Sequence, residues 1–252
     1  MLNIIKIYRI GDWLHYIGFI MLGFFLNTSF SIDILKYVFL GSTLLAYAFS
    51  LNDFFDKHEE KKFFLLPLIL SLLILPLFNS LQMTFSFLFL FIVTFYSMPP
   101  LRFKTKPFIS SFCNGIGFML LFFIGYSVQN FTFKGILFGL LFFSFNMVAQ
   151  FIHEVVDLEE DKKEKIFTTT LFFGEETIKK YCYIFLWFSF IVTIYLFYLE
   201  IVSPFFPLIT FFFVTFFTIE ILRKGIYREL RKKYKIFGII VGLIYFSIIL
   251  KP

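Results

Sequence analysis

The sequence predicts an all-α integral membrane protein, built as a bundle of nine transmembrane helices. Of its 252 residues, 59% are hydrophobic and only 16% are charged. A soluble domain has about a quarter of its residues charged, so this chain lacks the polar surface needed to face water on all sides. Long uncharged stretches are the second observation, and they lack the alternation of a β-barrel, so we expect the spanning segments to be helices.

The positions of Lys, Arg, Asp and Glu define the individual spans. Eight long stretches contain none of these residues: 13–32, 37–51, 63–101, 107–133, 135–152, 181–199, 201–219 and 236–250. A helix needs about 20 apolar residues to cross the hydrocarbon layer. The third stretch has 39 residues and is interrupted by Asn79, Ser80 and Gln82, so we expect two helices there, joined by a polar turn. The predicted count is therefore nine.

The basic residues predict the orientation of the bundle. With the N-terminus inside, the outer side receives only Lys36, Lys134 and Lys251 of the 23 Lys and Arg residues. Basic residues concentrate in cytoplasmic loops, so we expect an N-in, C-out multi-pass protein of the cell inner membrane. The net charge of +6 therefore does not indicate nucleic-acid binding. The basic run between Arg223 and Lys235 is interpreted as an anchor near anionic lipids. No linker or second domain is apparent, so residues 1–252 form one predicted domain.

Two groups of acidic residues follow the second and the sixth predicted spans. The first group places an amide and two carboxylates four residues apart: Asn52, Asp56 and Glu60. The second group repeats the four-residue step: His153, Asp157 and Asp161. Residues four apart share one face of a helix, and stacked carboxylates repel each other unless cations compensate. Such hard oxygen ligands suit Mg²⁺. Either group alone is also consistent with solvated loop charges, but the matched spacing favours metal sites.

A third segment supplies cations after the fourth span. Pro99 and Pro100 cannot continue a helix, so the chain must turn before Arg102 and Lys104. Guanidinium and ammonium groups there would bind phosphate oxygens and stabilise the charge of a leaving diphosphate. For Lys106, anchoring at the membrane surface is an equally good interpretation.

Together these segments resemble the UbiA superfamily of intramembrane prenyltransferases. Asn52, Asp53 and Asp56 are similar to the family's first motif, with Glu60 in place of its last Asp. The second group, with its downstream residues, resembles the second motif: Asp157, Glu159, Asp161, Thr168 and Gly174. The stretch from Tyr96 to Lys104 resembles the segment between the family's fourth and fifth helices. The resemblance extends from the Trp13 region to the ninth span.

The resemblance implies nine helices around a central cavity and transfer of an isoprenoid chain from a prenyl diphosphate to a small acceptor. The implied metal ligands for Mg²⁺ are Asn52, Asp56, Glu60, Asp157 and Asp161. The implied diphosphate-binding residues are Asn52, Arg102 and Lys104, and the implied catalytic residues are Asp56, Asp157, Asp161 and Arg102. An aromatic quinone precursor is the favoured acceptor, and the active site would face the cytoplasm. His153 is a candidate base or a polar packing residue.

Two other functions fit parts of the pattern. A cation-coupled transporter would use the cytoplasmic carboxylates as ion sites. The predicted spans, however, hold almost none of the internal charges that mark ion pathways, and no inverted repeat is apparent. A soluble terpene synthase also uses paired Asp motifs, but nine spans of lipid length exclude that class.

Overall fold

The computed structural model describes residues 4–56, 62–164 and 167–249, and no strand occurs in these ranges. Short 3₁₀ turns at Leu14–Tyr16, Leu75–Leu77 and Phe103–Thr105 join some of the helices. The α-helices of the described ranges, in chain order, are α1 (Ile4–Ile7), α2 (Ile10–Trp13), α3 (Ile17–Asn27), α4 (Ile34–Asp56), α5 (Leu65–Ile74), α6 (Ser80–Ser97), α7 (Ile109–Tyr126), α8 (Phe133–Val156), α9 (Leu158–Glu164), α10 (Thr169–Phe173), α11 (Glu175–Tyr198), α12 (Phe205–Lys224) and α13 (Arg228–Ile249).

Seven helical segments of the described chain are long and apolar enough to cross a membrane. They are Ile10–Asn27, Ile34–Asp56, Ser80–Ser97, Ile109–Tyr126, Phe133–Val156, Glu175–Tyr198 and Phe205–Lys224. The other two predicted spans correspond to a shorter apolar helix at Leu65–Leu77 and to α13, whose first turns carry Arg and Lys. The all-α class is confirmed, whereas the count of nine and the topology stay predictions.

The long apolar stretch at 63–101 divides where the sequence predicts. The Asn79 side chain accepts a hydrogen bond from the Gln82 backbone N–H at 2.9 Å, and the Gln82 side chain accepts one from the Asn79 N–H at 3.1 Å. This reciprocal cap satisfies donors that the first turn of a helix leaves unpaired. α6 therefore starts at Ser80 as a helix separate from α5.

The described residues divide into two compact units, of which the first comprises Met1–Arg102 and Gly117–Phe131. Within it, α4 packs against α3, α5 and α6. α3 and the second half of α7 approach with their backbones almost in contact. A Cβ atom on Gly23 would lie 2.2 Å from the Phe122 carbonyl oxygen, and one on Gly125 would lie 2.0 Å from the Ile20 carbonyl oxygen. Only glycine fits at these two positions.

The second unit comprises Phe103–Ile116 and Thr132–Pro252. Its centre is α8, which packs against α10, α11 and α13, while α12 packs against α11 and α13. α8 ends at Val156 and α9 begins at Leu158, so Asp157 lies at the junction of two helices. The single domain predicted for residues 1–252 stays a prediction.

Candidate active site

The first acidic group lies on the last turn of α4, in the first unit. Asn52 and Asp56 are one turn apart, and the Asn52 amide donates a hydrogen bond to Asp56 Oδ2 at 2.8 Å. The predicted shared face is therefore present for these two residues. Glu60, the third predicted ligand, lies outside the described residues.

A buried serine fixes the orientation of the Asn52 amide. Ser97, the last residue of α6, donates its hydroxyl to Asn52 Oδ1 at 3.1 Å. Because the amide has one acceptor end and one donor end, this contact turns its NH₂ group toward Asp56. Ser97 belongs to the stretch from Tyr96 to Lys104 that resembles a family segment, but nothing in the sequence predicted its contact with Asn52, since the two residues are 45 apart on different helices.

Arg102 reaches the same carboxylate from the turn after α6. Its Nη2 lies 3.4 Å from Asp56 Oδ1, and both side chains are partly exposed. Arg102 has φ +35°, a left-handed backbone conformation that is uncommon outside glycine. The turn predicted from Pro99 and Pro100 thus brings this guanidinium to the first acidic group, and its role in diphosphate binding stays a prediction.

A second carboxylate, that of Asp53, lies three residues before Asp56 and is buried. Asp53 is only 6% exposed and accepts a hydrogen bond from Arg9 Nη1 at 3.0 Å. Arg9 also donates through Nε to Asp12 at 2.8 Å. Asp53 therefore joins the N-terminal segment to α4.

The second acidic group lies where α8 meets α9, in the second unit. Nδ1 of His153 lies 2.7 Å from Asp157 Oδ2, which is the contact expected for residues one turn apart. Arg231 Nη1 lies 2.9 Å from Asp157 Oδ1 and 3.0 Å from Oδ2, and 2.8 Å from His153 Nδ1. A protonated Nδ1 would donate to the carboxylate, whereas a bare Nδ1 would accept from the guanidinium.

The electrostatic surroundings of Asp157 favour its charged form. Partial burial raises the pKa of this carboxyl group, but the hydrogen bonds and charges of His153 and Arg231 outweigh burial and hold the pKa below its ordinary value. Asp157 is therefore an anion that already has a cation beside it.

Arg231 is a site residue that the sequence interpretation missed. The basic run at 223–235 was expected to anchor lipids, yet Arg231 contacts Asp157, while Lys224 and Lys233 each lie 3.3 Å from Glu220. These three cations therefore have carboxylate partners in the same unit, and the role of the basic run as a lipid anchor stays a prediction. No local spacing could have revealed the contact of Arg231 with Asp157, since the two residues are 74 apart in the sequence.

A buried carboxylate also precedes Asp157 by three residues. Glu154 is 4% exposed, and its Oε1 accepts hydrogen bonds from the hydroxyl of Ser111 at 2.6 Å and from the amide of Gln150 at 3.3 Å. The Thr169 hydroxyl lies 3.4 Å from Oε1, and the Thr170 backbone N–H donates to Oε2 at 3.2 Å. Glu154 thus ties the first turns of α7 and α10 to α8.

The remaining predicted residues lie in the second unit. The Asp161 backbone N–H donates to the Asp157 carbonyl at 2.9 Å, so the four-residue step continues into α9. Lys104 is buried on the turn Phe103–Thr105. Within residues 4–56, 62–164 and 167–249, no three His, Cys, Asp or Glu side chains form a group that could hold a metal ion. The predicted roles of Asp161 and Lys104 stay predictions.

This chain is similar to one protein family by sequence and to several solved structures by fold. The sequence model of the UbiA prenyltransferase family matches residues 60–248. A solved UbiA homolog from Archaeoglobus fulgidus, bound to GPP and Mg²⁺, is 19% identical with a TM-score of 0.78, covering 97% of this chain and 98% of that one. A solved digeranylgeranylglyceryl phosphate synthase is 18% identical with a TM-score of 0.79, covering 98% of each chain. No curated protein matches the sequence.

Proposed function

We infer that this chain, which belongs to the UbiA prenyltransferase family, transfers a prenyl group from a prenyl diphosphate to an acceptor with Mg²⁺ as cofactor. The family match covers most of the sequence, so the chain is an enzyme of the prenyltransferase class, and the transporter alternative is set aside. Its apolar helices make it an integral multi-pass membrane protein. The observation that carries the proposal is that Asp56 and Asp157, at the ends of two such helices, each lie beside an arginine.

The chemistry of these side chains fits Mg²⁺. This ion is usually bound by one or two carboxylates, several waters and substrate phosphates, so a preformed group of three acids is not required. Asp56 and Asp157 are partly exposed and have oxygen atoms within reach of solvent. We propose that Asn52, Asp56 and Glu60, and likewise Asp157 and Asp161, are the ligands.

The charged side chains then explain how the diphosphate could leave. Bound Mg²⁺ would neutralise the diphosphate and so make it a better leaving group. Arg102 and Lys104, together with the Asn52 amide, would donate hydrogen bonds to its oxygens, and such charge-assisted bonds strengthen as charge develops. Ser97 acts through Asn52, because its hydrogen bond fixes the orientation of the amide, whose oxygen keeps a second lone pair for Mg²⁺ and whose NH₂ group can donate to the diphosphate. The catalytic residues on this proposal are Asp56, Asp157, Asp161 and Arg102.

We propose an aromatic precursor of a lipid quinone as the acceptor, with the active site on the cytoplasmic side of the inner membrane in an N-in, nine-helix arrangement. The asymmetric distribution of Lys and Arg supports this orientation. The fold is equally similar to that of a digeranylgeranylglyceryl phosphate synthase, so a glycerol-phosphate lipid is the second acceptor to test.

The test uses the full-length protein purified in detergent, with Mg²⁺ and labelled geranyl diphosphate. Diphosphate release is followed with an aromatic acid, a naphthoquinone precursor or a prenylated glycerol phosphate as acceptor. We expect acceptor-dependent release, lost on chelation of Mg²⁺ and reduced about a hundredfold or more in Asp56→Asn and in Asp157→Asn. The matched control is Asp33→Asn, an exposed acid that pairs with Lys36. Equal turnover in the control and in both site variants would reject the proposal.

A further inference from the structure

The cation beside Asp157 occupies the two oxygen atoms that a metal would need. A single nitrogen of Arg231 lies within 3.0 Å of both carboxylate oxygens, and the same nitrogen contacts His153. A guanidinium and Mg²⁺ cannot both take the same oxygen lone pairs, so one must displace the other. Asp157, His153 and Arg231 all belong to the second unit.

Arg231 is held in place by its neighbours on α13. Leu230 is fully buried, and Tyr234 is buried and donates its hydroxyl to the Phe145 carbonyl of α8 at 3.0 Å. The first turns of α13 are therefore fixed against α8, while the Arg231 side chain itself stays 40% exposed. A fixed backbone with a long, partly exposed side chain lets the guanidinium move between nearby partners without unfolding the helix.

We propose that Arg231 is a further diphosphate-binding residue that neutralises Asp157 in the metal-free enzyme, gives up this carboxylate to Mg²⁺, and then binds the diphosphate. The proposal rests on the assignment of Asp157 as a metal ligand. The planar guanidinium suits this exchange, because it forms paired hydrogen bonds with a carboxylate or with phosphate oxygens. Arg231 therefore opposes binding of the metal alone and favours binding of the metal with diphosphate.

Arg231→Gln separates these two effects, because it should change them in opposite directions. Without a competing cation, Mn²⁺ (a paramagnetic substitute for Mg²⁺) should bind the full-length protein about twofold to fivefold more tightly, the range that a half-exposed ion pair contributes. With saturating Mg²⁺, inorganic diphosphate should bind several-fold more weakly. Electron paramagnetic resonance of free Mn²⁺ and titration calorimetry measure the two affinities without turnover. Arg231→Lys keeps the charge and should lie between the wild type and Arg231→Gln in both.

Arg228→Gln is the matched control, since Arg228 is exposed and lies three residues earlier on the same helix. It removes the same charge and thus reports the general electrostatic effect on metal affinity. Mn²⁺ affinity that rises no more in Arg231→Gln than in this control would overturn the proposal, and so would unchanged diphosphate affinity. Asp157→Asn tests separately the premise that Asp157 binds the metal. If it leaves Mn²⁺ affinity unchanged, Asp157 is not a metal ligand and the proposed function itself fails at this residue.

Discussion

The ends of α4 and α8 each bury a carboxylate three residues before a candidate metal ligand. Asp53 precedes Asp56 in the first unit, and Glu154 precedes Asp157 in the second. Asp53 is neutralised by a cation, Arg9, which is itself 34% exposed. Glu154 accepts hydrogen bonds from uncharged donors, namely the Ser111 hydroxyl, the Gln150 amide and the Thr170 backbone N–H.

The difference shows two ways of keeping a carboxylate out of water. An ion pair with a partly exposed arginine is screened by solvent and depends on one long side chain. Neutral donors cannot cancel the charge, but several of them aimed at one carboxylate replace its lost water and strengthen one another in a low dielectric. Since the donors to Glu154 come from three helices, we expect the second unit to depend on its buried carboxylate more than the first does.

The largest expected effect is that of Glu154→Ala. The Ser111 hydroxyl and the Thr170 N–H would lose their acceptor inside the protein, and buried groups left unpaired are costly. We expect the free energy of unfolding to fall by about 3 kcal/mol. Denaturant unfolding in mixed micelles, followed by circular dichroism, measures it.

Two further variants show whether the buried contacts cause this loss. Glu154→Gln keeps one acceptor but turns an NH₂ group toward donors, so about half of the loss is expected. Glu159→Ala removes an exposed acid that pairs with Lys162, and it should leave the free energy of unfolding essentially unchanged, because water screens such a pair. Similar values for Glu154→Ala and Glu159→Ala would contradict the importance given to the buried network.

A smaller effect is expected from Arg9→Gln in the first unit. The variant breaks the 3.0 Å contact with buried Asp53 and leaves that charge with less compensation. Because Arg9 is one-third exposed, water can take over part of its role, so we expect a loss of about 1–2 kcal/mol in the same unfolding measurement. Lys36→Gln, which breaks an exposed pair with Asp33, should lose less than about 0.5 kcal/mol. A larger loss of stability in Arg9→Gln than in Glu154→Ala would mean that the first unit depends on its buried carboxylate more than the second does.

The sequence predicted the helices, the local contacts of the site and the turn that brings Arg102 to Asp56, but it missed the contacts made by Ser97 and Arg231. Four-residue spacing was enough to place Asn52 beside Asp56 and His153 beside Asp157, because a helix fixes such neighbours by itself. The contacts from Ser97 and Arg231 depend on how separate helices pack. Uniformly apolar spans carry no periodicity that would show which faces meet, so the sequence contained no signal for these two contacts, although Ser97 lies in the stretch that resembles a family segment and Arg231 in the basic run.

The smallest expected effect tests how firmly the first group is positioned, and it comes from Ser97→Ala. Without the Ser97 hydroxyl, the Asn52 amide can rotate, so its oxygen, the atom that would bind Mg²⁺, is no longer held in one position. We expect the Mg²⁺ concentration for half-maximal activity to rise about twofold to fivefold, which corresponds to one lost hydrogen bond. Ser86→Ala is the control, since Ser86 is buried on the same helix and donates only to the Gln82 carbonyl of its own turn. If both variants shift the Mg²⁺ requirement equally, the effect comes from packing of α6. The Ser97 hydroxyl would then not position Asn52 for metal binding, and the firmer positioning would be that of Asp157 beside Arg231.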